Sequence, residues 1–153
     1  MGPLSQSLGM GVEVALAVLQ RQGQWLLQLR DDIPGIIAPG CWGLFGGHLD
    51  PGETPVQALR RELWEEIRLR VDTVEPWYRS EGQERIRHVF RADLQVPLEQ
   101  LQLLEGQDFC LAWPQQLTSG RCTSQRLGES RGLAPSLEEA LLHYRSELKA
   151  TTR

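Results

Sequence analysis

The stretch from Gly46 to Leu69, GGHLDPGETPVQALRRELWEEIRL, leaves the chain the least freedom. Val56, Leu59, Leu63 and Ile67 recur at helical spacing and form one apolar stripe. Thr54 offers a capping hydroxyl, and Pro55 occupies the first turn, where a missing N–H costs nothing. The spacing predicts a helix from Thr54 to about Arg68. On that helix Glu62 stands three residues before Glu65 and four before Glu66, so three carboxylates share one side and repel each other. Each such pair costs about 0.3 kcal/mol, and partial burial beside the apolar stripe raises the cost. Taken alone, the run is either a solvated face or a site for a cation. Hard dications such as Mg²⁺ prefer carboxylate oxygens, keep several waters and are commonly shared with substrate phosphates. Gly46-Gly47, just after a short apolar segment, lets the backbone approach a ligand closely and turns a bare carbonyl toward the metal.

Around this segment the pattern alternates between strand and helix. Val12 to Gln20 and Trp25 to Arg30 predict two antiparallel strands, joined by a short link containing Gly23. Asp31 to Cys41 is broken by two Pro and two Gly and reads as a loop delivering a short strand, Trp42 to Phe45. Val71 to Tyr78 and Ile86 to Val96 predict two strands joined by a polar turn, Ser80 to Glu84, and Asp108 to Trp113 predicts another. Pro114 to Leu117 reads as one helical turn, and the Gly/Ser/Arg-rich Thr118 to Gly132 as a loop. Ser136 to Lys149 has a Ser cap, an acidic first turn and apolar Leu137, Ala140, Leu141 and Tyr144, the marks of an amphipathic helix. That order predicts an α+β fold, an α/β/α sandwich with a mixed β-sheet between helices. The length of 153 residues suits a single domain spanning 1–153, with residues 1–10 expected to be flexible.

Composition narrows the partners. A formal net charge of −4 with scattered basic residues argues against polymeric nucleic acid. No apolar run approaches the roughly 20 residues of a membrane span, and the first residues lack the basic start and apolar centre of a secretion signal, so no membrane association is expected. Cys41, Cys110 and Cys122 are odd in number and widely spaced, which fits a reducing compartment better than a disulfide framework or zinc site. A cytoplasmic location, with a monomer or homodimer as the assembly, is the expectation.

Counting from Gly47, five residues lead to Glu53, seven more to Arg61-Glu62, then come Leu63, Trp64, Glu65-Glu66, Ile67 and Arg68-Leu69. This spacing closely resembles the box of the Nudix hydrolase family, G-x5-E-x7-R-E-U-x-E-E-x-G-U with U aliphatic. One fixed position differs: Arg68 stands where the family has glycine. Because glycine after a helix commonly adopts a positive φ, arginine there costs up to about 1 kcal/mol or shifts the helix end.

The resemblance implies the Nudix fold, with the box forming a loop, helix and loop that hold Mg²⁺ or Mn²⁺. It implies hydrolysis of the pyrophosphate linkage of a nucleoside diphosphate derivative by water, the partner being a small-molecule nucleotide. Carried over, Glu62, Glu65 and Glu66 would bind cations with the Gly47 carbonyl as a further ligand, and Arg61 would hold Glu53 in an ion pair. The base would be a box glutamate or a later loop residue. Glu105, in Leu104-Glu105-Gly106-Gln107, resembles the loop metal ligand of MutT-type hydrolases and is the loop candidate for both metal binding and proton transfer. On the substrate side, Gly46 allows close approach, Arg30 is a phosphate contact or a surface charge, and Trp42 and Phe45 stack on a base or fill the core. His48 beside Gly47 is a phosphate contact or a solvated loop residue.

The short architecture looks like MutT-type (d)NTP hydrolases, whereas LQLRDDIPG and WGLFGGHLDPGE also look like ADP-ribose or nucleotide-sugar hydrolases. The chain contains no asparagine. The asparagine with which MutT-type enzymes read an oxidised guanine is therefore missing. A catalytically silent nucleotide-binding domain is the competing reading, disfavoured because a pure binder has no need of a costly acidic cluster.

Overall fold

The computed structural model describes residues 12–82 and 85–151. They form two compact units, one of residues 12–21 and 45–104, the other of residues 22–44 and 105–151. The expectation of a flexible start at residues 1–10 lies outside the described residues.

In the first unit the strand β1 (Glu13–Arg21) is central. Its run from Val14 to Leu19 is almost wholly apolar and buried throughout, as a strand covered on both faces should be. β6 (Ile86–Asp93) runs parallel to it, from Glu13↔Ile86 to Gln20↔Asp93, and β5 (Glu75–Glu81) pairs antiparallel with β6. On its other edge β1 carries β4 (Phe45–His48), antiparallel, with Ala15 opposite Gly47 and Leu16 opposite Gly46. The helix α1 (Pro55–Ile67) packs against β4 and β1 through Ala58, Leu59, Leu63 and Ile67. The expected start is seen in full: the Thr54 hydroxyl accepts from the Gln57 N–H, and the Gln57 side chain accepts from the Thr54 N–H. Arg68 ends the helix in the left-handed conformation, φ 55°, with its N–H bonded back to the Trp64 carbonyl. The arginine thus adopts the conformation that after a helix is commonly left to a glycine. Beyond β6 the chain returns along the end of α1, with Gln102 N–H donating to the Ile67 carbonyl and Leu104 N–H to the Glu66 carbonyl.

In the second unit β2 (Gln24–Leu29) pairs antiparallel with β3 (Trp42–Gly43) and β7 (Asp108–Ala112). β8 (Arg121–Ser124) and β9 (Glu129–Gly132) form a hairpin, and α2 (Pro135–Thr151) buries Leu137, Ala140 and Leu141. Tyr144 stands edge-on to Trp25, ring centroids 5.5 Å apart. The class is α+β, a mixed sheet with two helices, as the sequence predicts.

Several expected boundaries move. The strand Trp42 to Phe45 is two strands, β3 and β4, because the chain changes partner at Leu44, from β2 to β1. Val71 to Val74 lies outside β5, and β6 stops at Asp93, after which Leu94 N–H turns to the Gln20 carbonyl. β5 extends through Ser80 and Glu81, and residues 83 and 84 of the expected turn lie outside the described residues. Thr118 to Gly132 is not a loop: the β8–β9 ladder fixes it despite weak strand propensity, with Arg121 Nη2 donating to the Ser130 carbonyl across the pair. Ser136 lies inside α2, two residues past the cap position, and Pro135 opens the helix. Pro114–Leu117 is the expected turn, in 3₁₀ form, and a second 3₁₀ turn, Leu98–Gln100, went unforeseen. No helix of the described residues is long and apolar enough to cross a membrane.

Candidate active site

β4, just before the turn into α1, carries two glycines with separate reasons. Gly46 has φ 132°, and a Cβ there would lie 2.0 Å from the Ala15 carbonyl oxygen, so no other residue fits between β4 and β1. At Gly47 a Cβ would lie 2.5 Å from the Glu62 carboxyl carbon. The missing side chain is therefore the space the Glu62 carboxylate occupies. One turn on, Glu66 is only 3% exposed and accepts a hydrogen bond from the Gly46 N–H at 3.0 Å. Carboxylate oxygens of Glu62 and Glu66 come within 4.8 Å of each other.

Asp50-Pro51-Gly52-Glu53 closes as a turn, Glu53 N–H donating to the Asp50 carbonyl at 3.0 Å and Asp50 N–H to Glu53 Oε1 at 2.7 Å. Arg61 then clamps it to the helix. Its Nε donates to Glu53 Oε2 at 2.8 Å and its Nη2 to Glu53 Oε1 at 2.9 Å, a bidentate pair. Nη2 also donates to the His48 carbonyl at 2.9 Å, while Nη1 reaches Glu62 Oε2 and Glu65 Oε1, each at 3.2 Å. Asp50 adds a fourth carboxylate, its Oδ2 3.4 Å from Nε. The hydrogen bonds from Arg61 and from the Asp50 backbone lower the Glu53 pKa to about 2, and the same pairing raises that of Arg61. One guanidinium thus faces four carboxylates, and the cluster stays net anionic.

The three helix glutamates differ more than their spacing suggests. Glu66 is buried, Glu62 is half-buried against Gly47, and Glu65 is exposed and held through Arg61. The burial of Glu66 escaped the sequence reading, although Leu59, Leu63, Glu66 and Ile67 share helical spacing and put this carboxylate on the apolar stripe. Asp50 was missed as well. Its signal was the turn-forming Asp-Pro-Gly.

In the second unit Arg30 donates through Nε to the Ile37 carbonyl at 2.7 Å, bracing the loop before β3. Trp42 requires a correction. It is fully buried, and its indole N–H donates to the Cys122 carbonyl at 2.9 Å, so it is a core residue and presents no face on which a base could stack. Phe45, in the first unit, is fully buried too. The His48 side chain is exposed, and it is the His48 backbone that serves the cluster. Glu105 is exposed; Leu104 before it holds the Glu66 carbonyl, and Gly106 after it has φ 91° and donates to Asp31 Oδ2 at 3.4 Å.

A model of the NUDIX domain matches residues 10–117. Over 66 residues the chain is 41% identical to the nucleoside triphosphatase NudI of Enterobacter sp. (strain 638), and 38% identical to a protein of the same name from Escherichia coli O1:K1. Each match takes in 42% of this chain and 46% of the relative, so the chain spans about half the length of the curated relatives it matches. Among solved structures, the MutT NUDIX hydrolase from Burkholderia pseudomallei superposes with a TM-score of 0.67 at 19% identity, covering 86% of this chain and 96% of that one. The E. coli ORF135 protein superposes with a TM-score of 0.61 at 27% identity over 91% of each chain. The first of these likenesses speaks for the fold alone, while the domain match covers most of the chain and coincides with the glycine turn and acidic helix described above: the chain belongs to the Nudix hydrolase family.

Proposed function

We propose that the protein is a metal-dependent pyrophosphohydrolase that cleaves the pyrophosphate linkage of a nucleoside diphosphate derivative, with a nucleoside triphosphate as the first candidate. The observation that carries this reading is the buried Glu66 carboxylate within 4.8 Å of Glu62, both on α1, beside a β4 glycine that makes room for carboxylate oxygens. An all-oxygen donor set suits a hard dication, so Mg²⁺ or Mn²⁺ fits these residues. Glu62, Glu65, Glu66 and the Gly47 carbonyl would hold it. When bound, the cation would lower the pKa of a coordinated water and offset charge on the phosphate oxygens.

The chain's own residues have distinct tasks. Arg61 and Glu53 fix the turn, so that the Gly47 carbonyl and the Glu62 carboxylate keep one geometry through turnover. The Gly46 N–H orients Glu66 by occupying Oε1. Glu105, exposed in a Glu-Gly-Gln triplet that resembles the MutT-type loop ligand, is proposed to take the proton of the attacking water, with a box glutamate as the alternative. Arg30 is proposed as a phosphate contact through its Nη groups. The 41% identity to a nucleoside triphosphatase favours triphosphates over ADP-ribose or nucleotide sugars.

Glu66→Gln decides the central assignment. The amide oxygen can still accept from Gly46 N–H, so the metal-free melting temperature should stay within a few degrees, whereas turnover should fall by about 10³-fold as charge stabilisation is lost. Release of phosphate or pyrophosphate from a panel of nucleotides with Mg²⁺ supplies the readout. Turnover like the wild type in Glu66→Gln refutes the metal role, and no turnover of any nucleotide by the wild type points to a silent binding domain.

A further inference from the structure

Two thiols of the second unit meet between β7 and β8. Asp108 on β7 accepts from the Ser124 hydroxyl on β8 through Oδ2 at 2.7 Å. Two residues forward along β7 and two back along β8 stand Cys110 and Cys122, and because strand side chains repeat every second residue they occupy the same faces as that bonded pair. The two sulfurs lie close enough for each to shift the other's ionisation. Both residues are half-buried, open to a small reagent. The backbone on the Cys122 side is fixed twice, by the Trp42 indole donating to the Cys122 carbonyl and by the ladder that sets Cys122 opposite Arg131. The third thiol, Cys41, sits at the end of the loop before β3.

We propose that Cys110 and Cys122 form a reversible disulfide when the protein meets a peroxide, a modification site independent of the hydrolase reaction. The neighbouring Cys110 thiol lowers the Cys122 pKa to about 7, while the same contact and burial push Cys110 up, so Cys122 is the thiol that ionises and attacks first. Its sulfur attacks a peroxide oxygen; the O–O bond breaks, hydroxide leaves, and Cys122 becomes a sulfenic acid. The Cys110 sulfur then attacks Cys122 Sγ, the S–S bond forms as the S–O bond breaks, and the departing hydroxide takes the Cys110 proton as water. Two thiols lose two electrons and the peroxide gains them. The closed loop holds the 3₁₀ turn Pro114–Leu117 between its ends.

The test treats the full chain, fully reduced, with hydrogen peroxide and follows intact mass, thiol titration and a proteolytic map. The expected result is a loss of two hydrogens, a fall from three titratable thiols to one, a cross-linked peptide joining Cys110 to Cys122, and recovery of all three with dithiothreitol. Cys41→Ser should give the same cross-link, and Cys110→Ser should leave a sulfenic acid on Cys122 that dimedone traps. Retention of three thiols, a cross-link that includes Cys41, a covalent dimer, or oxidation of Cys122 beyond sulfenic acid in the wild type without a cross-link would each overturn the proposal.

Discussion

The turn and helix from Gly46 to Arg68 and the region from Asp108 to Gly132 are held together by opposite means. In the first, bonds join residues close in sequence: Asp50 with Glu53, Arg61 with Glu53 and His48, Gly46 with Glu66. In the second, Trp42 reaches Cys122, Arg131 donates to the Gly40 carbonyl, and Gln107 to the Arg30 carbonyl, each spanning at least half the chain. A short closure orders few residues for each bond it makes, whereas a long one has meaning only after the intervening chain has folded. The acidic turn should therefore respond to mutation as one local unit, and the β7–β8 region as part of a distributed core.

The most damaging test is Gly46→Ala. A Cβ 2.0 Å from the Ala15 carbonyl forces β4 off β1, and a loss of about 4 kcal/mol or more is expected in chemical denaturation. Gly52→Ala is the control, since Gly52 also has a positive φ, 83°, but open space around it, and should lose only about 1 kcal/mol. Equal losses at the two glycines would mean that close approach does not govern the turn.

Next come Arg61 and Glu53. Arg61→Ala should lower turnover by about 10²-fold by loosening the turn. In a double-mutant cycle with Glu53→Ala the stability losses should be non-additive, the double change costing little more than either single one. Their pH dependence follows from the Glu53 pKa, lowered from 4.5 to about 2 in the folded chain. The stabilisation is fully present above pH 4.5 and is lost as the pH falls toward about 2. The stability gap between wild type and Glu53→Gln should therefore be constant above that window and close within it. An unchanged gap down to pH 2 would remove the ion pair as its cause.

For the distributed region, Trp42→Phe keeps the aromatic bulk and removes the indole donor to the Cys122 carbonyl, with an expected loss of about 1–2 kcal/mol in thermal unfolding. Smallest of all is Arg68→Gly, which relieves the left-handed φ of 55° but gives up the Nη1 bond to the Trp64 carbonyl and the stacking of Arg68 on the Trp64 ring. A net gain below about 1 kcal/mol is expected, and any loss would show that these contacts outweigh the strain.

The same contrast explains what could be read in the sequence. The cap at Thr54, the glycine turn, the pairing of Arg61 with Glu53 and the helix end near Arg68 are encoded at fixed short spacings, and each is present in the structure. The break at Leu44 and the β8–β9 hairpin depend on distant partners, with Trp42 and Phe45 assigned to different neighbours, and no local pattern announces them. Trp42 was proposed as a stacking surface because its aromatic character is visible in the sequence while its complete burial is not. The site roles of Arg30 and Glu105 rest on chemistry and resemblance, since neither residue belongs to a short spacing rule.

A guanidinium has five N–H donors, and Arg61 places all of them: Nε on Glu53, Nη2 on Glu53 and His48, Nη1 on Glu62 and Glu65. Its stoichiometry is closed. Arg61 thus has no donor left for an incoming anion and acts on a substrate only through the groups it holds in place. Lysine, a compact charge with three donors and no planar fork, could serve only part of that set, so exchanging one cation for the other here would change the wiring of the turn while leaving its formal charge intact.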